Sequence, residues 1–144
     1  MGLFDAVKRA LGVSRAEPDA PVKAVRTDSS RPQPREEVAV PEVTVGELLA
    51  ELKADGARTP FLLDIREPYE RRQGYIPDNL HIPMNSIPAR LTELPRDADI
   101  VVYCAHGNRS YSVTGWLMQQ GYAARSLKGG IAAWGAQGGA ITRD

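Results

Sequence analysis

Cys104 is the single cysteine in a chain of 144 residues, and Arg109 follows it with four residues between. The thiolate is the nucleophilic form of cysteine, and a nearby permanent cation favours it. Arg109 also offers several donors in a planar fork, which suits an oxyanion. If Ala105-His106-Gly107-Asn108 curls around the sulfur, the N–H groups of residues 105–109 can point inward as an anion-binding nest. Gly107 supplies the backbone freedom for such a curl. Ser110 then either caps the following helix or turns its hydroxyl into the cradle. A free cysteine is more often a small buried hydrophobe. The polar, glycine-containing run directly after Cys104 points instead to nucleophilic catalysis on an anionic substrate.

The flanking residues state how this loop is held. Ile100-Val101-Val102-Tyr103 is a β-branched and aromatic run of the kind found in a buried strand. After Ser110, Val113, Trp116 and Leu117 fall at helical spacing in residues 111–120, and Gly121 is a natural stop. The cysteine is thus expected at the carboxyl end of a strand, on a loop entering a helix. Ligands bind at that end of strands in open α/β sheets, and a helix N-terminus presents free N–H groups to an anion.

The other elements alternate in the same way. Val43 lies in a short first strand, and Thr44-x-x-Glu47 is a capping box for a helix with Leu48, Leu49 and Leu52 that ends near residues 55–56. Phe61-Leu62-Leu63-Asp64-Ile65 is a continuous apolar strand suited to a parallel sheet. Glu67-Pro68 opens a polar helical turn through Arg72, stopped by Gly74. Leu80-His81-Ile82 is a third strand closed by Pro83, and Ser86 is expected to cap a helix with Ile87, Leu91 and Leu94. Residues 123–127 form a fifth strand, and Gly129-Gly130 leads into a last helix with Ile131 and Trp134. Strand–helix alternation predicts an α/β domain with a mainly parallel five-stranded central sheet and helices on both faces. Trp116, Trp134 and His81 are read as structural residues.

Ahead of this domain, which is placed at residues 41–144, residues 1–40 have a different character. Leu3, Phe4, Val7 and Leu11 share one side of a short amphipathic helix, which either docks on a partner or a membrane surface or, given its length, is a marginal leader helix. Residues 14–35 hold too few large apolar side chains to offset ordering entropy and are read as a linker.

Eighteen basic and eighteen acidic side chains balance, so no broad field favours nucleic acid. One cysteine excludes an intramolecular disulfide and suits a reducing compartment. No apolar run reaches the roughly 20 residues of a membrane span. Lys8 and Arg9 interrupt the first apolar stretch, unlike a secretory signal, and Ala6 stands where a myristoylation motif wants Ser or Thr. A cytoplasmic location without stable membrane insertion is expected. Two histidines and one cysteine, scattered along the chain, make no case for a metal site.

Four separated segments together resemble the rhodanese homology domain, of the single-domain sulfurtransferase type. They are the loop Cys104-Ala105-His106-Gly107-Asn108-Arg109-Ser110, the segment Leu63-Asp64-Ile65-Arg66-Glu67-Pro68-Tyr69-Glu70, the segment Gly74-Tyr75-Ile76-Pro77-Asp78-Asn79-Leu80-His81-Ile82-Pro83, and Gly129-Gly130-Ile131-Ala132-Ala133-Trp134. The resemblance implies that Cys104 takes a sulfane sulfur from a donor such as thiosulfate and carries it as a persulfide. A thiol, cyanide or an acceptor protein would then receive it, with no cofactor required. Arg109 would hold the donor's oxyanion, with residues 105–108 and Ser110 lining the loop. Asp64 and Arg66 are expected to support the site, Arg66 by pairing with a carboxylate such as Glu70. His106 either favours the thiolate when protonated, or binds the acceptor, or is an exposed loop residue. Phosphatases and arsenate reductases of this fold carry one more residue between Cys and Arg, so the shorter loop here favours sulfur transfer. A partner-binding module without catalysis is the remaining alternative. Tyr75, Asp78 and Asn79 replace the usual His, Gly and Ala of their segment, which predicts altered local hydrogen bonding.

Overall fold

The computed structural model describes residues 39–54 and 59–144. The expected leader helix at residues 3–11 and the linker at residues 14–35 lie outside the described residues. Five strands form one parallel sheet: β1 (Glu42–Val43), β2 (Phe61–Asp64), β3 (Asn79–His81), β4 (Asp99–Tyr103) and β5 (Ala123–Leu127). They lie in the order β1-β5-β4-β2-β3. Helices α1 (Val45–Lys53), α2 (Pro68–Arg71), α3 (Asn108–Gln119) and α4 (Gly130–Ala136) connect or follow them.

Strand alternation divides the core in two. Leu63, Ile65, Ile100, Val102 and Cys104 face a cluster with Val113, Trp116 and Leu117 of α3. Leu62, Val101, Tyr103 and Leu127 face Val45 and Leu48 of α1 and Trp134 of α4. With apolar side chains on both faces, β4 reads as an unbroken hydrophobic run, as a central parallel strand should. Each large side chain so buried contributes about 1.5–3 kcal/mol. Both tryptophans are core residues.

The capping box is formed: Glu47 N–H donates to Thr44 Oγ1 at 3.1 Å and Thr44 N–H to Glu47 Oε1 at 2.9 Å. The α1 helix ends at Lys53, before the expected stop.

The helix expected after Ser86 is corrected. In its place are two 3-10 turns, Met84–Ser86 and Pro88–Glu93, with a break at Arg90 (φ −115°, ψ 18°). Pro88 has no N–H to give and its ring opposes an α-helical carbonyl four residues back. The tighter turns still bury Ile87 and Leu94.

β2 leads outward to β3, whereas β4 leads the opposite way to β5. The connections diverge between β2 and β4, the crevice where ligands of open α/β sheets bind. Residues after Asp64 and after Tyr103 must therefore meet.

Candidate active site

Cys104 follows β4 directly and is 1% exposed. Its Sγ accepts hydrogen bonds from Gly107 N–H at 3.2 Å and Ser110 N–H at 3.3 Å, and Ser110 Oγ lies 3.5 Å away. The loop thus curls back on the sulfur, with Gly107 as the one inward donor of residues 105–109 and Ser110 as the second. Two main-chain donors on one sulfur stabilise it as an anion.

The curl depends on glycine twice. Gly107 has φ +101°, where an added Cβ would lie 3.1 Å from Gly129 N. Gly130 has φ +62°, and its Cβ would lie 2.5 Å from the carbonyl oxygens of both Cys104 and Ala105. That close approach lets Ile131 N–H donate to Cys104 O at 2.9 Å and Ala132 N–H to Ala105 O at 3.0 Å. The first turn of α4 so occupies these carbonyls, while N–H groups on the loop's inner side serve the sulfur.

Ser110 is not a cap. Gly107 occupies the N-cap of α3, and Ser110 lies within the helix, fully buried. Its hydroxyl donates to Gly107 O at 3.3 Å and shares a hydrogen bond with Ser126 Oγ at 2.8 Å. Asn108 and Arg109 begin α3, so their N–H groups are first-turn donors without an intrahelical acceptor. His106 and Asn108 are exposed and Ala105 half-buried.

Arg109 does not stand free. Its two terminal nitrogens donate to the two carboxylate oxygens of Glu70, each at 2.9 Å. These bonds hold the Glu70 carboxyl below the usual carboxylate range, although partial burial works the other way. The same bonds raise Arg109 further above the ordinary guanidinium value. The pair is half-open: the side chains are 35% and 18% exposed.

Arg66 pairs with a carboxylate, as expected, though not with the one named as an example. It does not pair with the Glu70 carboxylate but with Asp64, through Nε at 3.0 Å and a terminal nitrogen at 2.9 Å, and also donates to the carbonyls of Gly74 and Glu70. Asp64, wholly buried, accepts further from Arg71 and from Tyr103 OH, each at 3.1 Å. Tyr103 OH in turn accepts from Ile76 N–H at 3.2 Å, and burial first, then the Asp64 charge, raise the phenol above its ordinary value. His81 Nε2 meets Arg66 O at 2.7 Å, a structural contact as expected. Asp64 and Arg66 thus anchor residues 66–76 beneath the site, and α2 carries Glu70 to Arg109.

The divergent segment follows suit. Asp78 adopts φ +60° where the family's usual residue is Gly, a conformation Asp tolerates better than most side chains. Asn79 bonds Arg71 at 2.8 Å and also Ile76 O. Tyr75 pairs through its main chain with Thr142, donates its OH to Asp144 at 2.6 Å and lies under the Arg71 guanidinium, 3.7 Å from ring centroid to carbon.

Sequence reasoning missed Ser126 and the pairing of Glu70 with Arg109, since it offered Glu70 to Arg66. Glu70 lay within a quoted segment, yet its contact needs β2 beside β4. Ser126 sits in the weak strand Ala-Ala-Arg-Ser-Leu, with no local signal of its partner.

Residues 44–137 match the Rhodanese-like domain family. A protein of Allochromatium vinosum named "Sulfurtransferase" is 52% identical over 79 residues, covering 54% of this chain and 74% of that protein. The YtwF protein of Bacillus subtilis is 34% identical, over 66% of this chain and 90% of its own length. Among solved structures, a rhodanese-related protein from Thermoplasma volcanium superposes with a TM-score of 0.66 at 31% identity, over 72% of this chain and 99% of that one.

Proposed function

The chain belongs to the rhodanese-like domain family, and from that premise we propose that it is a sulfurtransferase that carries sulfane sulfur as a persulfide on Cys104. The observation that carries the reading is the sulfur itself, held by two main-chain N–H groups at the carboxyl end of a central strand.

In the first half-reaction the Cys104 thiolate attacks the outer sulfur of thiosulfate. A new S–S bond forms on Cys104, the donor's S–S bond breaks, and sulfite leaves with the electron pair. A low-molecular persulfide donor would react likewise, releasing its thiolate. In the second, cyanide or a thiolate, free or on an acceptor protein, attacks the outer persulfide sulfur, and the Cys104 thiolate departs. This is covalent, ping-pong catalysis. The Gly107 and Ser110 N–H groups stabilise the thiolate at the start and end of the cycle. Arg109 takes the donor's oxyanion by sharing or exchanging its bonds to Glu70.

Intact mass spectrometry after incubation with thiosulfate tests this. A gain of one sulfur, about 32 Da, is expected, removed by cyanide and lost in Cys104→Ser, as covalent transfer requires. No adduct from thiosulfate or from any persulfide donor would overturn the reading. Cys104-dependent hydrolysis of an aryl phosphate in its place would assign the site to phosphate chemistry.

A further inference from the structure

The mechanism above leaves one buried polar group beside the nucleophile without a role. Ser126 lies on β5, 0% exposed, and its Oγ is 2.8 Å from Ser110 Oγ. Ser110 Oγ is in turn 3.5 Å from Cys104 Sγ. Ser110 is the one partner of the Ser126 hydroxyl among the described residues. Buried hydroxyls are costly unless hydrogen-bonded, so the two serines must satisfy each other whatever the state of the sulfur.

A serine hydroxyl has one proton and two lone pairs, and it can rotate without moving a heavy atom. Beside a neutral thiol, S–H donates to Ser110 Oγ, and the Ser110 proton turns to Gly107 O or Ser126 Oγ. Beside a thiolate no S–H remains. Ser110 O–H then donates to the sulfur as its third donor, after Gly107 N–H and Ser110 N–H. Its oxygen can accept from Ser126 O–H at the same time. A donated hydrogen bond polarises the hydroxyl that receives it and strengthens the bond that hydroxyl donates onward.

We propose that Ser126 is a positioning residue that orients and polarises Ser110 toward the Cys104 thiolate, the two hydroxyls reversing their hydrogen bonds as the sulfur changes charge. The proposal rests on the reading of Cys104 as the nucleophile. Neither serine gains or loses a proton: the thiol proton leaves to solvent, and only hydroxyl orientations change. Arg109, itself paired with Glu70, is a charged group coupled to Cys104, and the titratable side chain on the loop itself is the exposed His106. Ser126, Ile131 and Ala132, which reach this loop or its Ser110 from β5 and α4, carry no titratable side chain.

The test is the pH dependence of Cys104 alkylation by iodoacetamide in the full chain, followed by intact mass, with thermal melting as the fold control. Ser126→Ala is expected to move the midpoint up by about half to one pH unit, the size of one neutral hydrogen bond. Below the midpoint that is roughly a three- to tenfold slower reaction. Ser126→Gly also removes the hydroxyl and adds no second thiol, so it should shift the midpoint in the same direction, and it decides the matter if the alanine variant does not fold. Because Ser126 acts through Ser110, adding Ser126→Ala to Ser110→Ala should shift the midpoint no further. A folded Ser126 variant with the wild-type midpoint would overturn the proposal, as would a full additional shift in the double variant. Alkylation needs no sulfur donor. A failed persulfide adduct with a shifted midpoint would therefore remove the functional reading alone.

Discussion

Glu70 holds both terminal nitrogens of Arg109, one on each carboxylate oxygen. The cation nearest the nucleophile in sequence is thus already engaged by a carboxylate from α2, the helix after β2. Glu70 Oε1 also accepts from Glu67 N–H at 2.8 Å, so the carboxylate is fixed from its own helix. On the proposed function, an anionic donor would compete for this fork.

That competition is measurable by steady-state kinetics. Glu70→Gln removes the competing charge and should lower KM for thiosulfate by about three- to tenfold, the scale of a half-exposed ion pair. Arg109→Ala should impair thiosulfate at least tenfold more than a neutral persulfide donor, since it removes a charge-assisted contact only the anion makes. A higher thiosulfate KM in Glu70→Gln would mean that Glu70 aims Arg109 productively and does not compete.

The same pair makes stability depend on pH. The folded Glu70 carboxyl is held below its ordinary value of 4.5, chiefly by the Arg109 hydrogen bonds and against partial burial. A depressed carboxylate contributes stability that is fully present above its unfolded value and is lost as pH falls through the folded one. Denaturant unfolding of wild type and Glu70→Gln should therefore differ most near neutrality, by up to about 1 kcal/mol for a pair this open to solvent. The difference should vanish in acid below the usual carboxylate range. An equal difference at both pH values would separate the stability of the fold from the charge on Glu70.

Two glycines give opposite expectations. Gly130→Ala forces a Cβ to 2.5 Å from two carbonyl oxygens at φ +62°, and should cost about 1–3 kcal/mol and slow persulfide formation as the Cys104 loop shifts. Gly46 lies in α1 with no atom within 4 Å of an added Cβ. Gly46→Ala should stabilise by up to about 1 kcal/mol and leave the adduct unchanged. Melting curves and intact masses of the two variants check both.

Tyr103→Phe tests the support beneath the site. It strips Ile76 N–H of its acceptor and Asp64 of one donor in a buried setting. A loss of about 1–3 kcal/mol is expected, read by denaturant unfolding, while Cys104 should still accept sulfur. Loss of the adduct in a folded Tyr103→Phe protein would make the hydroxyl part of the chemistry.

Much of this is legible in the residues alone. Phe61-Leu62-Leu63-Asp64-Ile65 and Ile100-Val101-Val102-Tyr103 announce buried parallel strands because both faces are covered, so no polar alternation interrupts them. The cysteine loop shows itself by residue type and by its place between strand and helix. What stayed hidden depends on strand order. Glu70 and Arg109 are 39 residues apart and meet only because β2 and β4 are neighbours whose connections diverge. Ser126 finds Ser110 across the β5–α3 contact, which no local pattern encodes. The 3-10 turns around Pro88 were missed for another reason: Ile87, Leu91 and Leu94 keep helical spacing, and that spacing serves burial in either geometry.

The recessed sulfur of Cys104, at 1% exposure, bears on how a carrier tells empty from loaded. A persulfide there would extend the side chain by one S–S bond, about 2.05 Å, bringing the transferable atom closer to the mouth of the loop. The bare thiolate would sit deeper, among its main-chain donors. On the proposed cycle, visibility itself would be the signal: an approaching acceptor would meet the cargo before it met the carrier.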